Sequence, residues 1–467
     1  TEQAPYSYVR ENRKEVRTRF QITDQQHINN EYYQTTVCFQ LFNFQLSNFS
    51  TLVIDPQLVW ATLYGGNSWD GPMSIDCDPS GNLFVGGYTN SANFPVLNPA
   101  GGVFYQGALA VGSFNDAMIL KFHKTGQLIW ATYYGGSGND YAFNLCTDAF
   151  GNVLITGFTD SPDLPVTAGA LQSTNGGSDD ILILKFNTAG VPLWATYYGG
   201  SSQDIGLSIC TDPTGNVFVT GYQSSDSISF LLLDPGVGNY FQLRTSWDQE
   251  AFILKFSGAG TLLWATLYGG TSDDYGYSIC SDPVGNIFVI TNTRSTDFPI
   301  TGGAFQTANI GTKNLTISKF SNIGTQLWAT YYGGTGNDEG MSACTDLNGN
   351  LFVTGMTGST DFPVTAGALQ TANAGSTDAF ILKFSGAGLP VWATYYGGSA
   401  GEWFSSYHNI AIDLCNNVYV SFETASANVP LQNSCSTGFF DNTFNGGLTD
   451  LFILKLSNAG SPLWATY

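Results

Sequence analysis

The chain has 467 residues, of which 11% are charged and 14% are aromatic, and it contains 55 glycines. This composition is too hydrophobic and aromatic for a disordered protein and is typical of a turn-rich β fold. The formal net charge of -21 argues against nucleic acid or an anionic membrane as a partner, because binding phosphates needs a basic surface. The sequence contains no apolar run of about eighteen residues, so no membrane-spanning helix is predicted.

The first part of the chain differs in composition from the rest. Five basic residues lie close together there: Arg10, Arg13, Lys14, Arg17 and Arg19. We therefore predict that residues 1–34 form a basic arm or linker and that residues 35–467 form a single domain. Two interpretations of the arm stay open: a solvated tail, or a segment attracted to the acidic surface of another copy or of a neighbouring domain.

From residue 60 onward the chain repeats itself. The letters WAT recur at Trp60, Trp130, Trp194, Trp264, Trp328, Trp392 and Trp464. Six complete units therefore lie between seven tryptophans. Repetition at such a spacing indicates an array of similar structural units rather than several unrelated domains.

Each unit has the pattern of four strands and no helix. The runs "LWATYYGG", "GLSIC" and "VFVTGY" are short and rich in aromatic and β-branched residues, and "AFILKF" alternates with the period of a strand. The letters "TDPTGN" predict a hairpin turn between the second and third runs, because Pro213 presets φ and Gly215 accepts a left-handed conformation.

Sheets of this kind are apolar on both faces and must stack on one another. Radial stacking gives a ring, so we predict an all-β β-propeller of four-stranded blades with six complete sequence repeats. The chain stops at "LWATY", and residues 35–54 have the pattern of strands. We therefore expect a seventh blade closed by N- and C-terminal strands. The alternatives are six blades with an N-terminal arm, or a longer parent protein truncated at Tyr467.

The succession "DAFILKFSGAGLPVWATYYGGS", "CTDPTGNVFVTGY" and "STDFPVTAGALQT" resembles the bacterial SBBP repeat, a β-propeller repeat. The resemblance covers roughly residues 47–467 and leaves residues 1–46 outside. It implies a module of large secreted or surface proteins, often from bacteria with type IX secretion, and hence an extracellular or cell-surface location. It supplies no shared catalytic residues.

Three series of acidic residues recur with the repeat. The first follows the double glycine: Asp70, Asp140, Asp204, Asp274, Asp338 and Glu402. The second opens the hairpin turn: Asp78, Asp148, Asp212, Asp282, Asp346 and Asp413. The third precedes the "ILKF" strand: Asp116, Asp180, Glu250, Asp378 and Asp450, with Asn314 in the remaining unit. We interpret these acids as caps of backbone turns and predict no metal site and no cofactor, with calcium as the alternative.

The cysteines and the remaining motifs give no sign of catalysis. Cys146, Cys210, Cys280 and Cys344 share one phase and are predicted to be small core residues. The other four are out of phase and leave disulfide pairing open: Cys38, Cys77, Cys415 and Cys435. No nucleophile elbow, phosphate loop or dinucleotide loop is present, so no enzyme activity is predicted.

The units differ mainly in their long loops, and loops on a rigid scaffold often carry specificity. These loops are unusually apolar, which favours contact with a partner or another subunit. The predicted contacts are Phe230, Leu231, Leu232, Tyr240, Phe241, Trp247, Phe439 and Phe440, together with the basic arm. The sequence thus predicts a structural, adhesive or protein-binding module that self-associates or binds a protein. A glycan-binding propeller or a glycosidase with its site in the divergent loops is the alternative.

Overall fold

The structure is a computed structural model of the whole chain. It describes residues 60–98, 104–226, 229–244, 247–403, 409–433 and 440–467 in full, and it gives the backbone of five strands before residue 60. The described part contains strands and turns but no α-helix. Accordingly, none of the described residues belongs to a helix long and apolar enough to cross a membrane.

Six antiparallel sheets, five of four strands and one of five, follow one another along the chain and form the blades of a β-propeller. Their strands are numbered in chain order from β6, because five strands of the N-terminal segment come first. Blade 1 is β6 Asp70–Cys77, β7 Leu83–Thr89, β8 Asp116–Phe122 and β9 Leu128–Tyr134; blade 2 is β10 Asp140–Thr147, β11 Val153–Thr159, β12 Asp180–Phe186 and β13 Pro192–Tyr198. Blade 3 is β14 Asp204–Thr211, β15 Val217–Gln223, β16 Glu250–Phe256 and β17 Leu262–Tyr268; blade 4 is β18 Asp274–Ser281, β19 Ile287–Thr293, β20 Asn314–Phe320 and β21 Gln326–Tyr332. Blade 5 is β22 Asp338–Thr345, β23 Leu351–Thr357, β24 Asp378–Phe384 and β25 Pro390–Tyr396. In blade 6 the first strand is split into β26 Glu402–Trp403 and β27 Ile410–Ile412, followed by β28 Val418–Thr424, β29 Asp450–Leu456 and β30 Pro462–Thr466.

The blades are out of phase with the sequence units. The "WAT" strand is the last strand of a blade and pairs with the "ILKF" strand before it, as Lys185 pairs with Trp194 in blade 2. The final "LWATY" is therefore the last strand of blade 6 and does not begin a new blade. The predicted hairpin turn is confirmed, since β14 pairs with β15 and Gly215 has a φ of 83°.

The seventh blade is not confirmed. The N-terminal strands are β1 Ser7–Val9, β2 Lys14–Val16, β3 Thr18–Asn29, β4 Tyr32–Leu41 and β5 Leu52–Ile54. They form one sheet of β2, β1 and β5 and a second of β3 and β4, whereas β30 pairs with β29.

The chain divides into two compact units, one of residues 1–61 with 433–441 and the other of residues 62–432 with 442–467. The second unit contains the six blades. The predicted domain boundary after residue 34 stays a prediction, because the side chains of the first 59 residues lie outside the described part.

Neighbouring blades are joined by buried polar contacts as well as by apolar packing. In blade 2, the ammonium of Lys185 and the indole N–H of Trp194 both donate to the carbonyl oxygen of Gly258 in blade 3, at 3.2 and 3.1 Å. The same carbonyl position is used at the next two joints, where Asn322 and Gly386 accept from the corresponding lysine and tryptophan. A buried blade face is thus tied to the turn of its neighbour.

The second series of acids has the predicted capping role. In blade 2, Asp148 Oδ1 accepts hydrogen bonds from the backbone N–H groups of Phe150 and Asn152, both at 2.9 Å. Its Oδ2 lies 3.0 Å from the ammonium of the buried Lys185. Burial opposes ionisation of Asp148, but hydrogen bonds from Asn152 and Lys185 outweigh it and lower the pKa of this carboxyl.

The four in-phase cysteines lie on the first strands of blades 2 to 5 and are only partly buried, each packed against a core cluster. Of the out-of-phase cysteines, Cys77 and Cys415 are exposed free thiols. Cys38 and Cys435 lie outside the residues whose side chains are described.

We predict that Asp148→Ala will strongly destabilise the propeller, because it leaves the Lys185 ammonium buried without its counter-ion. Breaking a buried pair by removing one partner costs about 3–5 kcal/mol. The midpoint of urea denaturation, followed by tryptophan fluorescence, measures the loss.

Asp413→Ala in blade 6 is the matched control. There the Lys455 and Asp413 side chains are 26% and 30% exposed, and their charged atoms are 3.7 Å apart. Water can therefore replace the lost partner, and the effect should be much smaller, as for exposed ion pairs. Equal losses for the two variants would contradict this view of the blade joints.

Candidate functional site

The long loop between β15 and β16 of blade 3 is anchored at its start by an aromatic side chain. Phe230 is only 1% exposed and packs edge-to-face on Tyr198 of blade 2, with ring centroids 5.2 Å apart. It also contacts Phe252 of its own blade, at 5.6 Å. The hydroxyl of Tyr198 donates to the carbonyl oxygen of Leu231, so the loop leaves the core in a fixed direction.

A second anchor reaches the following blade. The backbone N–H of Tyr240 donates to the carbonyl oxygen of Gly324 in blade 4 at 2.9 Å. The Tyr240 ring packs edge-to-face on Tyr268 and Phe320, with centroids 5.2 and 5.8 Å away. Nearby, Leu233 forms an antiparallel bridge with Ala265 on the last strand of blade 3. The loop is therefore attached to three blades.

Between and beyond these anchors the loop presents apolar side chains to solvent. The exposed ones are Leu231, Leu233, Val237, Leu243 and Trp247, of which Trp247 is 89% exposed. The guanidinium of Arg244 lies over the Trp247 ring at 5.7 Å from its centroid, a cation–π contact. Side chains held outward on an anchored loop cost little conformational entropy when a partner covers them.

Leu171 of blade 2 extends this surface. It is 41% exposed and, together with Leu231, lines two adjoining cavities. One cavity of about 350 Å³ also borders Tyr198 and Ser201. The other, of about 390 Å³, also borders Leu233 and Leu262. We call this surface the Leu171–Leu233 groove and define it by Leu171, Leu231 and Leu233.

The structure places the predicted contact residues in three different environments. Leu231 and Trp247 are exposed as expected, while Leu232, Tyr240, Phe241 and Phe440 are partly buried. Phe230 is a correction, because it is buried in the core between blades 2 and 3 and cannot contact a partner. The side chains of Arg10, Arg13, Lys14, Arg17, Arg19 and Phe439 lie outside the described residues.

Sequence reasoning missed Leu171 as part of this surface. It belongs to the regular "AGALQ" segment. Because similar segments recur in other units, the sequence indicated a structural part of the blade and not a binding surface. Only the neighbouring irregular loop, which differs from its counterparts, signalled a surface feature. The contact between the two loops depends on how blades 2 and 3 pack.

A third cavity, of about 420 Å³, lies along the first strands of blades 1, 5 and 6. Its lining includes Asp76, Cys344, Ala411 and Tyr419. Among the described residues, no group of three or more histidines, cysteines, aspartates or glutamates that could hold a metal ion is found. We take the groove as the candidate site because it carries exposed apolar side chains on a loop anchored by Phe230 and Tyr240.

The fold and the groove together define the class of the protein, a six-bladed all-β propeller with a loop-built surface on blades 2 and 3. The SBBP family, described as a β-propeller repeat, matches residues 59–95, 129–165, 193–226, 263–299 and 327–363. The chain is therefore an SBBP-type β-propeller repeat protein.

The relatives with curated names are distant. An uncharacterised WD repeat-containing protein of Acanthamoeba polyphaga mimivirus is 23% identical over 48% of this chain and 18% of its own length. The regulatory protein FlaEY of Caulobacter vibrioides is 22% identical over 62% of this chain and 31% of its own length. The chain thus spans less than a third of either relative.

Solved propellers are similar at a low level. Virginiamycin B lyase from Staphylococcus aureus has a TM-score of 0.38 and 10% identity, covering 87% of this chain and 98% of its own. An α-L-arabinanase from Penicillium chrysogenum has a TM-score of 0.39 and 11% identity, covering 78% of this chain and 92% of its own. Neither similarity carries information about function.

We predict that Phe230→Ala and Leu231→Ala will differ sharply, although the two residues are adjacent. Truncating a buried phenylalanine removes apolar contacts and leaves a cavity, which costs about 3–5 kcal/mol. Truncating Leu231, which is 48% exposed, should cost less than about 1 kcal/mol. Urea denaturation of the two variants measures the difference, and a similar loss for both would mean that Leu231 is part of the core.

Proposed function

We propose that this propeller is a non-catalytic protein-binding module that binds its partner at the Leu171–Leu233 groove. The observation that carries the proposal is the anchored loop of blade 3, which holds several apolar side chains in solvent beside Leu171. Contiguous apolar surface on a rigid scaffold is typical of an interaction site.

The charge of the chain indicates the chemistry of the partner. The net charge is -21, and the acidic side chains of Asp234 and Asp248 are exposed in the same loop as the apolar ones. A segment that combines apolar and basic residues would complement both features. The chain itself contains such a segment, "YVRENRKEVRTRF", from Tyr8 to Phe20. The occupant that we propose is this arm from a second copy.

Glycoside hydrolysis is less well supported by the described carboxylates. A glycosidase needs two carboxyl groups that flank one sugar. The acids that come together in this propeller, such as Asp180 and Asp204, are fully buried between blades and cannot reach a polysaccharide. The exposed loop is therefore better suited to binding a partner than to catalysing hydrolysis.

The experiment compares self-association of the unchanged protein and three altered proteins by light scattering at low salt. The triple variant Leu171→Ser, Leu231→Ser, Leu233→Ser should weaken self-association at least tenfold, and so should removal of residues 1–20. The control variant removes three exposed apolar side chains elsewhere: Leu369→Ser, Leu389→Ser and Val391→Ser in blade 5. It should associate like the unchanged protein.

A synthetic peptide of residues 8–20 provides the direct test. It should bind the protein lacking residues 1–20, and the triple groove variant should bind it at least tenfold more weakly. A protein that stays monomeric at all concentrations and does not bind the peptide would overturn the proposal. Hydrolysis of a polysaccharide by the unchanged protein would favour the enzyme alternative instead. The extracellular or cell-surface location stays a prediction, to be tested by fractionating the source cells.

A further inference from the structure

The first and third series of acids meet at the joints between blades. The first strand of each blade from 2 to 6 starts beside the third strand of the blade before it, where a backbone N–H of one donates to a carbonyl of the other. At the joint of blades 2 and 3, for example, Asp204 N donates to Asp179 O at 2.8 Å. This brings the side chain of Asp180, from blade 2, together with that of Asp204, from blade 3.

Both carboxylates at this joint point at one spot beside Gly199. A Cβ atom added to Gly199 would lie 2.4 Å from Asp180 Oδ1 and 3.0 Å from Asp204 Oδ2. The joint of blades 1 and 2 repeats the arrangement, with Asp140 Oδ2 at 2.5 Å and Asp116 Oδ1 at 2.9 Å from the corresponding position on Gly135. The glycine is required here because the two acids occupy the space of a side chain.

At the joint of blades 2 and 3, one oxygen of each carboxylate is satisfied, and the other has no partner. Asp180 Oδ2 accepts from Gln172 Nε2 and Gly176 N, at 2.6 and 2.8 Å. Asp204 Oδ2 accepts from Gly200 N and Ser225 Oγ, both at 2.7 Å. The Oδ1 atoms of both acids are buried without a hydrogen-bond partner.

The four carboxylates of these two joints are fully buried, and none of them forms an ion pair with a described lysine, arginine or histidine. Burial raises the pKa of Asp180 to about 6, and repulsion from Asp204 adds to the shift. The turn acids differ, since five of the six form an ion pair with a lysine. Two unpaired charges in one buried joint are strongly unfavourable unless something positive lies between them.

One joint shows what the site looks like when an acid is replaced by an amide. At the joint of blades 4 and 5 the third-series position is Asn314. With its amide nitrogen turned inward, it donates to Lys313 O, Gly334 O and Asp338 Oδ2 at 3.0, 3.2 and 3.2 Å. The amide nitrogen is therefore surrounded by oxygen atoms. An ionised aspartate oxygen at the same place could not bond to them, because it has no hydrogen to donate. A hydrogen-bond donor or a cation is needed there.

We propose that two of the joints with two acids, between blades 1 and 2 and between blades 2 and 3, bind a hard divalent cation of the calcium type. The ligands would be Asp116 and Asp140 at the first joint and Asp180 and Asp204 at the second, with neutral oxygens completing the shell. Calcium takes six to eight oxygen ligands, including carboxylates and backbone carbonyls. Two carboxylates neutralise one divalent ion, and the ion would tie the two blades together. The Asn314 joint is satisfied by its own amide and would bind none.

The test counts bound ions by calcium titration calorimetry, after treatment with EDTA and its removal at pH 7.5. The unchanged protein should take up at least two calcium ions, and its melting temperature should rise with the CaCl₂ concentration. Asp180→Asn copies the Asn314 joint, so it should fold in EDTA and bind one ion fewer. Asn314→Asp creates a two-acid joint and should bind one ion more.

Asp234→Asn is the control for loss of one negative charge, because Asp234 lies in the exposed loop of blade 3; it should bind as many ions as the unchanged protein. Absence of calcium uptake, with equal melting temperatures in EDTA and CaCl₂, would overturn the proposal.

In that case the alternative is a proton shared within each pair. A carboxyl whose pKa is raised in the folded state loses its stabilising contribution as the pH rises from the unfolded pKa to the folded one. The melting temperature in EDTA would then fall between about pH 4 and pH 6, and Asp180→Asn would reduce that fall.

Discussion

Each blade of this propeller is a sheet with two apolar faces, and both faces must be covered by neighbouring blades. The burial pattern shows the result, since every residue of β12, β16, β20 and β24 is buried. Stacking alone would leave the lysine of each such strand without solvent. In most blades a turn aspartate of the same blade and a backbone carbonyl of the next blade surround the ammonium of this lysine, as at Lys185.

The same constraint divides the repeated acids into two groups with different surroundings. The turn acids sit beside a lysine and backbone N–H groups, so their charge is compensated within the blade. The joint acids come from two blades and meet beside a glycine, and in the pair Asp180 and Asp204 one oxygen of each has no hydrogen-bond partner. Sequence spacing makes the two groups equally regular, but only the first has its counter-charge in the chain.

The proposed binding surface lies mainly in a loop that does not repeat. Once the blade faces are buried, the surface available for recognition consists of loops attached to the blades. The loop of blade 3 is suited to this because Phe230 and Tyr240 fix it at two points while the residues between stay outside. An apolar loop without such anchors would pay more entropy on binding and would tend to collapse onto the nearest core.

The sequence by itself determined the fold class, the number of complete repeats, the four strands of each unit, the hairpin turns and the capping aspartates. These follow from local periods and turn residues such as Gly215, which act within a few residues of one another. Tertiary structure decided where each blade begins, because the "WAT" strand has the same local pattern whichever neighbour it pairs with. It also decided that Phe230 is core and Leu231 is surface, and that Asp180 meets Asp204, since these depend on the packing of separate blades that no local pattern records.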